Sequence, residues 1–168
     1  SDIIVTATRR AQRSQDVPGS LTVQSSEALD ASGIKNTREL TLVTPGLNFS
    51  LNGGFAAPTI RGVSAQATGP GAENNVAIYV DGVYQASQLG ASFDFPDVER
   101  IEVLKGPQGT LYGRNATGGA ILVVTRDPSY TASGKVTASY GRFNDVELSG
   151  FATAPLIDDK VAISLAGF

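Results

Sequence analysis

The sequence predicts an α+β domain, built on a small mixed β-sheet with short helices and long loops, followed by a run of antiparallel strands. Three observations point there. Nineteen of the 168 residues are glycine, which favours turns and close backbone approaches over long helices. Up to about Pro128 the apolar runs are short and separated by loops without periodicity. From about Ser129 the pattern becomes a dyad alternation through three consecutive segments.

Taken in order, residues 2–8 (DIIVTAT) form a short run rich in β-branched residues, and the RRAQRSQD that follows is polar. A strand on a polar tether fits two roles. It can be an arm that pairs with a partner's sheet edge, or an edge strand of the chain's own sheet. LTVQS alternates like a half-buried strand. Ser25 or Ser26 can cap a short helix over EALDAS, and Gly33 suits its end. In NTRELTLV, Asn36 and Glu39 have capping-box spacing, and Pro45-Gly46 terminates the segment.

LNFSL and APTIRG read as strands around a glycine-rich loop, and SAQATGPGAENN as a long loop open to function. VAIYVDGVY is the clearest hairpin, with Asp81-Gly82 favouring a tight primed turn. The loop QASQLGASFDFP carries two exposed-looking aromatics, Phe93 and Phe95. VERIEVLKG places charges on both faces, so one face must meet something polar; AILVVTRDP is apolar enough to be buried on both.

The tail segments GKVTASYGRF, DVELSGFATAPL and KVAISLAGF alternate over about nine to eleven residues, joined by RFND and PLIDDK. That length and pattern match transmembrane β-strands, and equally a meander packed on the preceding domain. The last strand would leave an open edge, as in a sheet cut short.

Composition narrows the chemistry. The chain has no Cys and no His, which excludes thiol nucleophiles, imidazole bases and nearly all zinc or copper sites. A net charge of −3 leaves no basic footprint for nucleic acid. No run approaches about 18 apolar residues, so no transmembrane helix is expected. SDIIVTATRR has no basic-then-apolar leader and reads as a mature terminus or a boundary. No pair of carboxylates stands out for acid–base work, so neither catalytic residues, nor a metal, nor a cofactor is expected.

The stretch GPQGTLYGRNATGGA, residues 106–120, holds five glycines and tests the remaining enzymatic reading. A phosphate loop needs Lys and a hydroxyl after its last glycine, but Gly119 and Ala120 stand there. The dinucleotide fingerprint is missing as well. Its glycines fit tight turns around a helical turn at QGTLYG.

Read together, DIIVTA, VPGSLTV, TPGLNF, IRGV, VAIYVDGVY and DVERIEVLKGPQGTLYGRNATGGAILVVT resemble the TonB-dependent outer-membrane receptors of Gram-negative bacteria, over nearly the whole chain. The resemblance implies an α+β plug domain followed by the first strands of a transmembrane β-barrel of about 22 strands, here truncated. Residues 1–19 would be the TonB box and its flexible tether, 20–128 the plug, and 129–168 the first three barrel strands.

It further implies that Asp2, Ile3, Ile4, Val5, Thr6 and Ala7 form the TonB box. On substrate binding this strand would be released to the periplasm and added to TonB, with ExbB and ExbD delivering proton-motive force. The tether Arg9 to Asp16 would keep it extended and mobile. Candidate substrate contacts are Asn52, Phe55, Arg61, Gln85, Phe93 and Phe95. Arg100, Glu102, Lys105 and Arg114 would face the polar barrel wall. The expected substrate is an iron–siderophore complex, with vitamin B12, a saccharide or another metal chelate as alternatives. A receptor that also reports to a sigma-factor relay is a further alternative. Outer-membrane lipid would meet the barrel, and the N-terminus would be periplasmic.

Overall fold

Short extended runs between glycine turns become twelve strands and two short helices among the described residues, which in this computed structural model are 3–95 and 97–168. Two units form, one from 3–94 and 99–124, the other from 95–98 and 125–168.

The first unit opens with β1 (Ile4–Val5) and β2 (Gln12–Arg13), paired antiparallel with Ile4 opposite Arg13 and Val5 opposite Gln12. The expectation of an extended tether is therefore corrected. Arg9 takes a positive φ of 59° and its N–H donates to Thr6 O at 2.8 Å, so the chain reverses immediately after the strand. The polar run returns as β2 and a 3₁₀ turn, Ser14–Asp16, where the Arg13 guanidinium grips Asp16 at 2.8 Å. The arm thus pairs with its own tether.

β3 (Ser20–Ser25) leads into α1 (Ser26–Ser32), and the end signals read from the sequence hold. The Ser25 hydroxyl accepts from Ala28 N–H at 3.3 Å, and Gly33 closes the helix in the left-handed region at φ 68°. Before the 3₁₀ turn Glu39–Leu42, Glu39 N–H donates to Asn36 Oδ1 and Lys35 N–H to Glu39 Oε2; the N-cap of the turn itself is Arg38, without a side-chain cap bond, so the expected capping box is not formed. β4 (Leu47–Asn52) and β5 (Phe55–Ile60) make a hairpin. After the irregular loop 64–75 come β6 (Val76–Val80) and β7 (Val83–Tyr84), joined as expected at Asp81-Gly82, both with positive φ. A 3₁₀ turn (Leu89–Ala91), β8 (Val98–Lys105), the single-turn α2 (Gly109–Tyr112) and β9 (Gly119–Thr125) complete the domain.

The central sheet has the order β3-β8-β9-β6-β7. β6 and β9 are parallel, whereas β3 and β8 are antiparallel, so the sheet is mixed as predicted. Strand alternation gives it two faces. One carries Ala77, Leu104, Ala120 and Leu122, and the arm's Val5 and Ala7 are buried against it with Val17 and Tyr112. The alternate positions Ile78, Ile101, Val103, Ile121 and Val123 are buried too. Central β9 is covered on both faces, which is why its sequence is continuously apolar.

In the second unit β10 (Ser133–Tyr140), β11 (Val146–Ile157) and β12 (Val161–Gly167) form an antiparallel meander. β11 runs further than expected, through Pro155, because the register shifts between Pro155 and Ile157 and a bulge accommodates the missing N–H. Val136, Tyr140, Val146, Leu148, Ile163 and Leu165 leave an apolar array exposed.

Candidate functional site

The strongest constellation in the first unit is the seat of the arm. Val5 and Ala7 are fully buried with Thr6 between them, whereas Ile3 and Ile4 are exposed, so the core takes alternate residues only from Val5 onward. Asp2 lies outside the described residues. Between the two buried residues, Thr6 is held by β8. Its N–H donates to both Glu102 oxygens, at 2.9 and 3.1 Å, and its hydroxyl to Oε1 at 3.3 Å. Glu102 is itself fully buried and receives Arg100 Nε at 2.8 Å.

A wholly buried carboxylate is tolerated only when paired and hydrogen-bonded, and here the arm supplies part of that satisfaction. Arg100 also reaches Thr6 Oγ1 at 3.3 Å and Glu99 at 2.7 Å. Glu102 and Arg100 were expected at the barrel wall. The structure corrects this: their charges are turned inward and spent on each other and on Thr6. The polar group that the charged face of β8 had to meet is the arm.

Tyr112, from α2, grips the next residue. Its hydroxyl donates to Ala7 O at 2.8 Å, its own carbonyl accepts from Tyr79 Oη at 2.8 Å, and Arg9 lies over its ring at 5.3 Å. Burial, reinforced by the nearby Glu102 charge, pushes the Tyr112 hydroxyl up from 10.0 to about 12. The bond to Ala7 needs the protonated hydroxyl. Because the seated pKa is the higher, this contribution is full below about pH 10 and fades as pH rises toward 12. A cleft of about 250 Å³ adjoins the seat, lined in part by Arg9, Arg10, Tyr79 and Tyr112.

Tyr112→Phe should loosen the arm by about 1 kcal/mol, leaving the Ala7 carbonyl without its donor. A spin label on Ile4→Cys, at a half-exposed position, should report raised mobility; an unaltered spectrum would exclude a holding role for the hydroxyl.

The seat is not fully satisfied. Among the described residues, Thr8 Oγ1 and Gln12 Nε2 are buried and find no hydrogen-bond partner. Such orphans each cost about 1–3 kcal/mol, so the seated arm is held with restraint.

The other predicted residues fall into separate places. Asn52 ends β4, exposed, and donates to Thr68 of the 64–75 loop at 3.1 Å. Phe55, at the start of β5, is half-buried. Arg61 has a positive φ of 51° and donates its backbone N–H to Gly46 O; its charge helps to lower the Lys105 pKa, though burial of Lys105 contributes more. Gln85 folds back on Val83 O at 3.3 Å. Phe93 is half-buried and bonded through its N–H to Thr37 Oγ1, so the exposure expected of it is not found. Phe95 is half-buried in the other unit. Arg114 is exposed and pairs with Glu73 at 2.8 Å. Among the described residues no cluster of three or more His, Cys, Asp or Glu could hold a metal ion.

Comparison with known proteins places this geometry. The family model "TonB-dependent Receptor Plug Domain" matches residues 13–120. The pesticin receptor of Yersinia pestis is 38% identical over 141 residues, covering 81% of this chain and 20% of the relative. The iron-regulated outer membrane virulence protein of Vibrio cholerae is 33% identical over 174 residues, covering 93% and 26%. Among solved structures, the ferric yersiniabactin uptake receptor FyuA from Yersinia pestis superimposes with a TM-score of 0.80 at 34% identity, covering 87% of this chain and 23% of that one. The chain thus spans about a fifth to a quarter of the length of these relatives. It belongs to the TonB-dependent receptor plug domain family.

Proposed function

We propose that this chain is the plug, with the first strands of the barrel, of a Gram-negative outer-membrane active transporter that takes up iron–siderophore complexes. The observation that carries the reading is the seated arm: a β-branched strand held at the plug face by Glu102 and Tyr112, with its tether folded beneath it. Its release offers TonB an extended segment with free backbone groups, and strand addition needs little more. TonB, energised by ExbB and ExbD, then draws on the plug to open a path. Nothing is hydrolysed by this chain. The names of two relatives, a ferric yersiniabactin uptake receptor and an iron-regulated outer membrane virulence protein, support iron as the cargo.

The alternating apolar face of β10–β12 supports a lipid-facing barrel wall, since so many exposed aliphatic and aromatic side chains on one sheet face suit hydrocarbon better than water. Residues 129–168 would then begin the barrel. Lys105 and Arg114 remain the proposed contacts to its inner wall, and the loops around Asn52, Phe55 and Thr68 the substrate-facing part.

The test is uptake of radiolabelled ferric siderophores by the intact receptor in cells lacking their own receptors. TonB-dependent iron uptake is expected; uptake of cyanocobalamin in its place would overturn the cargo. Val5→Pro removes a backbone donor from the strand and should cut uptake at least about tenfold. The same variant unseats the arm, so a mobile arm with no uptake is the diagnostic pair. Normal uptake would show that residues 3–7 are not the strand TonB takes.

A further inference from the structure

The loop 64–75 has no regular structure of its own, yet it is tied to one buried side chain, whose own main chain is bonded to the strand that leaves the β4–β5 turn. Gln88, in the loop after β7, is 1% exposed. Its Nε2 donates to Ala67 O and to Asn74 Oδ1, both at 3.1 Å, and its Oε1 accepts from Gly69 N–H at 3.2 Å. Its main-chain carbonyl accepts from Ala56 N–H of β5 at 3.0 Å. Asn74, also buried, donates to Ala56 O at 3.4 Å, and Asn52 reaches Thr68 at 3.1 Å. One residue therefore holds the loop at three points with its side-chain amide and, with its backbone carbonyl, the strand that leaves the Asn52 turn.

We propose that Gln88 is a positioning residue: it presents loop 64–75 and the Asn52 turn as a single recognition surface for the transported complex. This rests on the reading of the chain as an uptake-receptor plug. The surface carries Asn52, Gln66 and Thr68, all exposed, with the one carboxylate of the loop, Glu73, paired to Arg114, so its character is mainly hydrogen-bonding. It suits the amide, hydroxyl and carbonyl oxygens of a polar chelate. The amide of Gln88 matches its task because it offers two donors and an acceptor on one planar group. A carboxylate there would set oxygen against the Ala67 and Asn74 oxygens, and a methyl would leave them and Gly69 N–H unmet in the interior. Buried polar hubs of this kind specify one arrangement among several that loop entropy would otherwise allow.

The experiment uses the intact receptor in outer membranes, with hydrogen exchange and uptake kinetics measured in parallel. Gln88→Ala should speed exchange at Gly69 by about tenfold or more, and raise KM for radiolabelled ferric yersiniabactin by a similar factor with Vmax little changed. Gln88→Glu should resemble it in KM. Thr37→Val removes another buried hydroxyl, one bonded to Ala91 O and Phe93 N–H and not to the loop, and should leave KM alone.

If Gln88→Ala does not reach the membrane, Asn74→Ala removes a single partner and carries the same expectation at smaller size. Unchanged exchange at Gly69 would overturn the proposal, as would a fall in Vmax without a rise in KM matched by Thr37→Val. Should the wild-type receptor import none of the probe, the uptake reading fails while the exchange arm still decides the role of Gln88.

Discussion

Glu102→Ala should release the arm in the absence of substrate. The substitution takes away the acceptor for Thr6 N–H and hydroxyl and leaves Arg100, which is largely buried, with the exposed Glu99 as its remaining anionic partner among the described residues. Removing one member of a buried ion pair costs about 3–5 kcal/mol. That pair lies within β8 whether or not the arm is seated, so the seated–free balance shifts by the lost Thr6 bonds to a charged group, about 1.5–3 kcal/mol or roughly ten- to a hundredfold. A label on Ile4→Cys should turn from an immobile to a mobile spectrum. The apparent affinity for the C-terminal domain of TonB should rise as well, because a partner that binds only the free arm is penalised by the fraction still seated. Glu102→Gln keeps an oxygen for Thr6 N–H and should fall between. An arm that stays immobile in Glu102→Ala would assign the holding to Val5, Ala7 and Tyr112 alone.

The second large effect concerns stability. Gly119 begins β9 at φ +147°, where a side chain is strained, and a Cβ there would overlap the Leu104 carbonyl oxygen and come within 2.9 Å of Ile60 Cδ1. The first neighbour is backbone of an adjacent strand and cannot yield without parting the two strands. Gly119→Val therefore combines strain with overpacking and should cost more than about 4 kcal/mol, a large share of the 5–15 kcal/mol typical of a whole domain. The matched control is Gly71→Ala, also at positive φ (78°) but with open space around it, where only the backbone term of about 1 kcal/mol remains. Thermal unfolding of the two variants should separate them widely. A Gly119→Val protein melting beside the control would show that β8 and β9 can part at little cost.

Local chemistry was readable and long-range pairing was not. The Asp81-Gly82 turn, the Ser25 cap and the Gly33 stop each depend on a residue and its immediate neighbours, so the sequence announced them. The apolar character of β9 likewise declared a strand covered on both faces. The charge between Ile101 and Val103 announced a polar partner without naming it, because Thr6 lies 96 residues away. Arg9 gave no warning: non-glycine residues at positive φ are uncommon, so the tether read as extended. Gln88 was missed for a related reason. In QASQLGAS it looks like one more polar loop residue, and only folding brings Ala67, Gly69 and Asn74 around it. Phe93 and Phe95 were read as outward because they sit in a loop, but aromatic side chains in loops commonly turn back to cover apolar surface.

The way the arm is tied has a mechanical consequence. Among the described residues its main-chain pairing runs along the tether, as the two-residue ladder with β2 and the Ser14 N–H to Ile3 O bond at 2.9 Å, which a pull can open one rung at a time. Beyond that ladder the next anchors are at consecutive residues, Thr6 and Ala7, and they are rooted in β8 and α2, 96 and 105 positions further along the chain. Traction on the amino terminus is therefore carried across the fold rather than along it. It arrives at β8, an interior strand flanked by β3 and β9, and at the turn beyond it, so a pull on the arm loads the domain from the middle of its sheet.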